Sequence, residues 1–309
     1  MIVIEDLFLQ EQVAGWSWLI AIFLWLAGIA GMGSIAYYWY RRASMAYTLF
    51  ISIVLALIFV VSDLTRPWNV FNAILRALAT GTYNWSSWMA LGIVLLVIQL
   101  ILLLIPTLHH AGLSRVRSFK WLSSIAESNF FLALLGFFGF LVTIYSGFLI
   151  SQASGIPLWN TALIPVLWIV SGGVSAIALI EIFSSLEVSD EHLESLRFSG
   201  VRIGLSIDVF ELFVLLAFIY VSLTVVSLGA VLGAERIVFG ELAPLTWIGV
   251  IGLGIVYPMI VGIYTIATKR HVRALIISAA ILALIGSLLL RYIVLAGGVY
   301  EPLSLSLFK

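Results

Sequence analysis

The segment WSSWMALGIVLLVIQLILLLIP, residues 85–106, carries no charged side chain. At about 1.5 Å per residue, a helix of that length crosses the ~30 Å hydrocarbon core of a bilayer. Working outward, seven more apolar runs of the same kind stand at about 16–40, 45–62, 128–150, 161–185, 206–232, 244–268 and 274–296. Turn and charge signals such as Arg41-Arg42 and Lys269 to Arg273 separate them. The fold class expected is an all-α integral membrane protein with eight transmembrane helices. Composition agrees: 63% of the 309 residues are hydrophobic and 10% are charged. Mean hydropathy is +1.18. Soluble domains carry roughly 25% charged residues, so polar groups could not cover this surface. A soluble enzyme and a disordered chain are both excluded.

Net charge is zero and says nothing of partners, but the placement of charge does. One side of the eight spans holds Arg41, Arg42, Arg115, Arg117, Lys120, Arg197, Arg202, Lys269, Arg270 and Arg273. The other holds Arg66, Arg76, Arg236 and Lys309, and Arg291 lies within the last span. The positive-inside rule puts the richer side in the cytoplasm and both termini outside; the reverse orientation is the alternative. Trp16, Trp18, Trp85, Trp88 and Trp247 fall near the outer ends, as an interfacial aromatic belt does. Glu5, Asp6 and Glu11 precede the first apolar run, the opposite of a basic signal-peptide region, so the first span is expected to be retained. Gly136 and Gly147 recur as Gly286 and Gly297, both 150 residues on. Two units of four spans, 1–150 and 151–309, are therefore expected as two four-helix bundles.

Ionisable groups inside a membrane are costly and are functional candidates by default. Tyr145, Arg291, Asp63 and the Trp85–Trp88 segment fall in the outer third by helical rise. Glu181, near the inner end of the fifth span, and Asp208 and Glu211, in the first turns of the sixth, form an inner group. Asp208 and Glu211 are three apart and share a helix face, with Arg202 close enough in sequence to neutralise one. As functional groups they read as a proton entry; as structural ones, as interfacial carboxylates facing water or Arg. Arg291 reads as a snorkelling side chain, as a buried partner of Asp63, or as a donor beside a redox ligand.

The chain has no Cys, which excludes iron–sulfur clusters and thiolate metal sites within it. His109, His110, His192 and His271 all fall in or beside cytoplasmic loops, where they cannot ligate an intramembrane haem. The Gly28-Ile29-Ala30-Gly31-Met32-Gly33 run follows no strand, so it reads as close helix packing rather than a dinucleotide loop.

Several polar segments, taken in order, resemble the NrfD-like family, the quinone-interacting membrane subunits related to the polysulfide reductase anchor. They are Ser62-Asp63-Leu64-Thr65-Arg66-Pro67-Trp68, Asn84-Trp85-Ser86-Ser87-Trp88-Met89, Tyr145-Ser146-Gly147-Phe148-Leu149-Ile150-Ser151, Pro157-Leu158-Trp159-Asn160-Thr161, Ser171-Gly172-Gly173, Trp247-Ile248-Gly249 with Pro258, and Leu290-Arg291-Tyr292-Ile293-Val294-Leu295-Ala296-Gly297. The resemblance covers about 60–300. It implies eight helices in two bundles and a quinone site on the partner-bearing side, involving Tyr145, with Asp63, Arg291 and Trp88 as further candidates. It also implies menaquinone or a related quinone as ligand, no haem and no iron–sulfur cluster in this chain. Partners would be an iron–sulfur electron-transfer subunit and a molybdopterin catalytic subunit in the lipid membrane, with no nucleic acid and with dimers of the complex open. Aligning Trp16–Trp18 puts Ile20 and Phe23 where polysulfide reductase has an Asn and a His, so fewer polar groups come from the first helix.

The expected function is exchange of electrons between the quinone pool and an extracytoplasmic partner, in a complex reducing sulfur, polysulfide or a related acceptor. Glu181, Asp208 and Glu211 would form a proton path, with Ser175, Thr143 and Tyr220 between the two faces. A proton- or ion-coupled transporter using Asp208, Glu211 and Arg291, and a purely structural anchor, are the competing readings.

Overall fold

The computed structural model describes residues 13–16, 18–111, 120–187 and 191–301. Glu5, Asp6, Glu11, Arg115, Arg117 and Lys309 lie outside them. In chain order the helices are α1 (Trp18–Ala36), α2 (Ala43–Ser62), α3 (Pro67–Ala79), α4 (Trp88–His110), α5 (Lys120–Glu127), α6 (Asn129–Ser151), α7 (Leu163–Leu186), α8 (Glu191–Thr224) and α9 (Leu228–Val238). A π-helix over Leu245–Val256 runs into α10 (Tyr257–Thr268), and α11 (Arg273–Ala296) follows. Among the described residues, eight helices are long and apolar enough to cross a membrane, the π-helix and α10 counting as one. This is the expected all-α membrane fold.

Lipid tails give no hydrophobic drive for helices to associate, so close backbone approach and polar contacts have to supply it. The small residues of α1 do this. A methyl group at Gly31 would stand 2.5 Å from the Gly139 carbonyl oxygen of α6, and one at Gly172 of α7 would stand 3.5 Å from the Gly28 carbonyl oxygen. As a result α1 and α7 bury 72% and 78% of their apolar windows, and none of the other six buries more than half. Helix α1 packs on α2, α6, α7 and α11; α7 packs on α6, α8 and α11. The Gly28–Gly33 run is thus the packing surface its composition indicated.

Two elements differ from the expected spans. The sixth begins at Glu191 rather than near 206, because Arg197 and Arg202 lower the hydropathy of a stretch that is nonetheless helical. Its 34 residues extend about 50 Å, more than a bilayer core needs. The seventh opens as a π-helix. Pro258, in the first turn of α10, has no N–H to offer and would crowd the carbonyl of Gly254 in a continuous α-helix; wider π turns relieve this. Gly254 also meets α11 backbone to backbone, its would-be Cβ 2.6 Å from Gly286 Cα. The sixth span also ends at Thr224 rather than near 232, and the rest of that apolar run opens the separate short helix α9; α3 and α5 lie between spans, where hydropathy gave no signal.

Candidate functional site

Arg291 is fully buried in α11. Its Nη1 donates to Ser171 Oγ at 2.9 Å and to the Ser287 carbonyl at 2.8 Å. The guanidinium stands 5.4 Å from the centre of the Trp168 ring, a cation–π arrangement. Gly28 makes the room: a Cβ there would lie 2.7 Å from Nη2. Three N–H donors at this spot, Arg291 Nε, Arg291 Nη2 and Trp168 Nε1, are buried with no hydrogen-bond partner. Unmet donors cost about 1–3 kcal/mol each, more when charged, so these three can each still take an acceptor.

Glu211 of α8, also buried, is the carboxylate that interacts electrostatically with Arg291. The Ser171 hydroxyl lies between them, accepting from Arg291 and interacting with Glu211. Asp208, one turn earlier and buried, interacts with both Glu211 and Glu181. Glu181 and Asp208 line a cavity of about 30 Å³ with Gly204, Pro258 and Thr265. That space admits a water molecule or two. Ser171 and Glu181 are ten residues apart on α7, so the polar track spans about 15 Å of membrane depth. A side branch runs through Ser175 Oγ to Ser287 Oγ at 2.8 Å, and Trp25 Nε1 donates to Ser287 Oγ at 2.9 Å.

Tyr145 of α6 is buried, 3% exposed, with its ring packed on Gly92 of α4. One turn on, Phe148 stacks with Trp88 at 4.8 Å between centroids. Thr143 meets α1 at Gly31, so Tyr145 lies near the depth of Gly28 and hence of Arg291. The two share a level but pack against different helices. Asp63 is exposed at the C-terminal end of α2.

A profile of the family described as "Polysulphide reductase, NrfD" matches residues 7–301. The chain belongs to that family. It is 26% identical to the polysulfide reductase C subunit of Wolinella succinogenes over 313 residues, covering 94% of this protein and 96% of that one. It is 28% identical to protein NrfD of Escherichia coli, covering 92% and 94%. A NrfD homolog of Haemophilus influenzae matches at 25% identity with the same coverage. As an NrfD-family protein with eight apolar helices, it is a multi-pass membrane protein, and family membership supports a membrane-anchor role in an oxidoreductase.

Within this NrfD-family protein the structure redraws the sequence expectations about the polar groups. Asp208 and Glu211 sit at mid-helix, not in the first turns, because α8 starts 15 residues before the expected span. The cation opposite Glu211 is Arg291; Arg202 is exposed, and the Arg291–Asp63 pairing gives way to Arg291–Ser171–Glu211. Of the outer group Arg291 therefore joins the inner carboxylates in one track, while Tyr145, Trp88 and Asp63 stand apart from it. Ser175 belongs to it, Thr143 instead bonds back to the Gly139 carbonyl of its own helix at 3.1 Å, and Tyr220 is 69% exposed, away from any interior path. Sequence reasoning passed over Ser287, Trp168 and the buried pair Gln99–Ser34, in which Gln99 Nε2 donates at 2.7 Å. The signal was there for Gln99, a lone amide in the most apolar span. His110 Nε2 is 2.9 Å from the Tyr37 hydroxyl, whose pKa burial pushes up to about 12. Among the described residues no three metal-ligating side chains converge.

Proposed function

We propose that the protein binds quinone or quinol as the membrane anchor of a multi-subunit oxidoreductase. It would exchange electrons between the quinone pool and an extracytoplasmic iron–sulfur subunit that serves a molybdopterin catalytic subunit. Sulfur or polysulfide is the favoured terminal acceptor, after the name of the Wolinella relative. The observation that carries the reading is the set of unmet buried donors on Arg291 and Trp168 in a protein of this family. A quinone carbonyl is the acceptor such donors fit, and no acceptor among the described residues fills the place. When bound, the quinone supplies two-electron, two-proton redox chemistry.

The protein's own residues then have separable tasks. Arg291 and Tyr145, at one depth, offer hydrogen bonds to head-group oxygens, and Trp88 offers a ring face beside Phe148. Asp63 would stand at the outer mouth. Glu211 holds or releases a proton at its carboxylate beside Ser171, and Asp208 and Glu181 extend that route across the small cavity. We read both termini as extracytoplasmic, and residues 1–150 and 151–309 as two four-helix units; the track lies within the second, bordered by Gly28 and Trp25 of the first.

Photolabelling of the assembled complex with a quinone analogue tests the binding. Adducts are expected on peptides containing Tyr145 or Arg291; labelling confined to other helices would count against the site. For the proton route, Glu211→Gln is expected to abolish proton translocation in the complex that still assembles, and an unchanged proton-to-electron ratio there would remove its support.

A further inference from the structure

A second feature lies where α1 ends and α6 begins, on the side that carries Arg41 and Arg42. Ile35, Trp39, Gly136, Phe137 and Phe140 line an apolar groove of about 430 Å³ on the outer surface of the helices. Trp39 and Phe137 are 58% and 56% exposed there, and buried Gly136 lies at the floor against Ile35. The groove follows α6 from Ala133 to Phe140, about 10 Å along the membrane normal. At its end, Tyr38 and Trp39 form a shared rim with a second, polar recess of about 430 Å³ that holds Arg41 and Arg42.

The two arginines are not equivalent. Arg42 is paired, its Nε 3.4 Å from Glu187 Oε2. Arg41 bonds only neutral acceptors: the Tyr38 carbonyl at 3.0 Å, the Glu127 carbonyl at 3.5 Å and Asn129 Oδ1 at 3.0 Å. Its guanidinium also lies 5.2 Å from the Tyr38 ring centre. No carboxylate among the described residues pairs with it, so its charge is uncompensated. The bonds to Glu127 and Asn129 pin it at the start of α6, whose Ser128 N-cap makes no side-chain capping bond. The positive end of the helix dipole adds to the same potential.

We propose that this groove and the Arg41 recess together bind one anionic phospholipid. An acyl chain lies along Gly136, Phe137 and Phe140, and the phosphate sits against Arg41 at the first turn of α6. A partner transmembrane helix would fill the groove equally well but would leave Arg41 uncompensated; a phospholipid satisfies both halves. Basic recesses between helices at a membrane surface recognise acidic head groups in this way.

Native mass spectrometry of the full-length protein during stepwise delipidation, with phosphatidylglycerol or phosphatidylcholine supplied, tests the proposal. Phosphatidylglycerol is expected to be retained over phosphatidylcholine, with the preference cut about fivefold by Arg41→Gln, in keeping with ~1 kcal/mol for one basic residue near an anionic surface. Gly136→Leu is expected to lower retention of both lipids, because a Cβ at 136 meets Ile35 no closer than 3.5 Å and the added side chain occupies the groove. Arg41→Lys should keep most of the preference. Equal retention of the two lipids, or a preference untouched by Arg41→Gln, overturns the proposal. So does a dimer that Gly136→Leu dissociates with no lipid adduct, since a second copy would then occupy the groove. Should a variant not fold, spin-labelled phosphatidylglycerol on the unmodified protein gives the same decision. It should show a motionally restricted, salt-sensitive component that spin-labelled phosphatidylcholine lacks; its absence overturns the proposal.

Discussion

At Gly31 the backbone of α6 comes so near that a methyl group would stand 2.5 Å from the Gly139 carbonyl oxygen, and that oxygen cannot rotate away. Gly31→Ala should therefore lower stability by about 1–3 kcal/mol. Gly200 of α8 has open space around it, and Gly200→Ala should be neutral or stabilise by up to ~1 kcal/mol. Thermal unfolding of the two variants in detergent separates steric cost from helix propensity. The Arg291–Glu211 pair calls for a double-mutant cycle. Arg291→Met leaves Glu211 without its cation, and Glu211→Gln leaves Arg291 without its anion; each should destabilise strongly. The double variant should lose less than the two singles combined, by about 1–3 kcal/mol, and strict additivity would show that the groups do not interact. At the other end of the sequence, Glu301 accepts from Ser227 at 2.5 Å and from the Gly229 amide at 3.0 Å, which holds its carboxyl below the usual range. Its folded pKa being depressed, its local contribution is complete above the unfolded value of about 4.3 and is lost as pH falls through the lower folded value. Hydrogen exchange at Gly229, corrected for intrinsic rate, should lose protection on acidification, and Glu301→Gln should lose it at neutral pH. Arg291 was legible in the sequence because a charge inside an apolar run stands out, whereas Tyr145 was singled out only by the family resemblance. Ser171 and Ser287 were not, since a hydroxyl in a span usually bonds its own helix and only its neighbours reveal otherwise.

At the scale of elements, α3 joins two spans and so lies at the membrane surface by continuity of the backbone. Trp68 and Leu75, seven residues apart on one helix face, are 78% and 65% exposed, whereas exposed Asn72 and Arg76 share the adjoining face. This is the pattern of a helix lying in the bilayer interface with its apolar face toward the tails. The absence of native cysteine makes the test direct. A fluorophore on Leu75→Cys should be quenched by lipid-borne nitroxides, and one on Asn72→Cys by an aqueous quencher; the reverse pattern would place α3 off the membrane. The apolar spans themselves were readable to within a few residues from hydropathy. The start of α8 was not, because hydropathy marks where a helix leaves lipid, and this helix continues into water. Nor was the π-helix: Pro258 signalled a distortion of some kind, but only the close approach of Gly254 to Gly286 shows where it is absorbed.

For the whole molecule, the arginine and lysine asymmetry makes a sidedness prediction. In intact cells, Ser154→Cys in the α6–α7 connection should react with a membrane-impermeant thiol reagent, and Ser124→Cys in α5 should not. Both positions are exposed, so reactivity reports topology alone. Labelling of Ser124→Cys instead would invert the orientation and move the proposed quinone site to the cytoplasmic face.

The sequence by itself determined that the protein spans the membrane eight times, because a backbone in lipid has to satisfy its hydrogen bonds within each helix. It also determined the family, whose polar segments keep their order from N- to C-terminus. It could not determine which polar groups meet, because helical rise gives depth along one helix and says nothing of azimuth or neighbour. Only the tertiary structure brought Arg291 of the last span to Ser171 of the fifth and Glu211 of the sixth. It did so by packing α1 and α7 at the centre, where Gly28 leaves the space that the guanidinium fills.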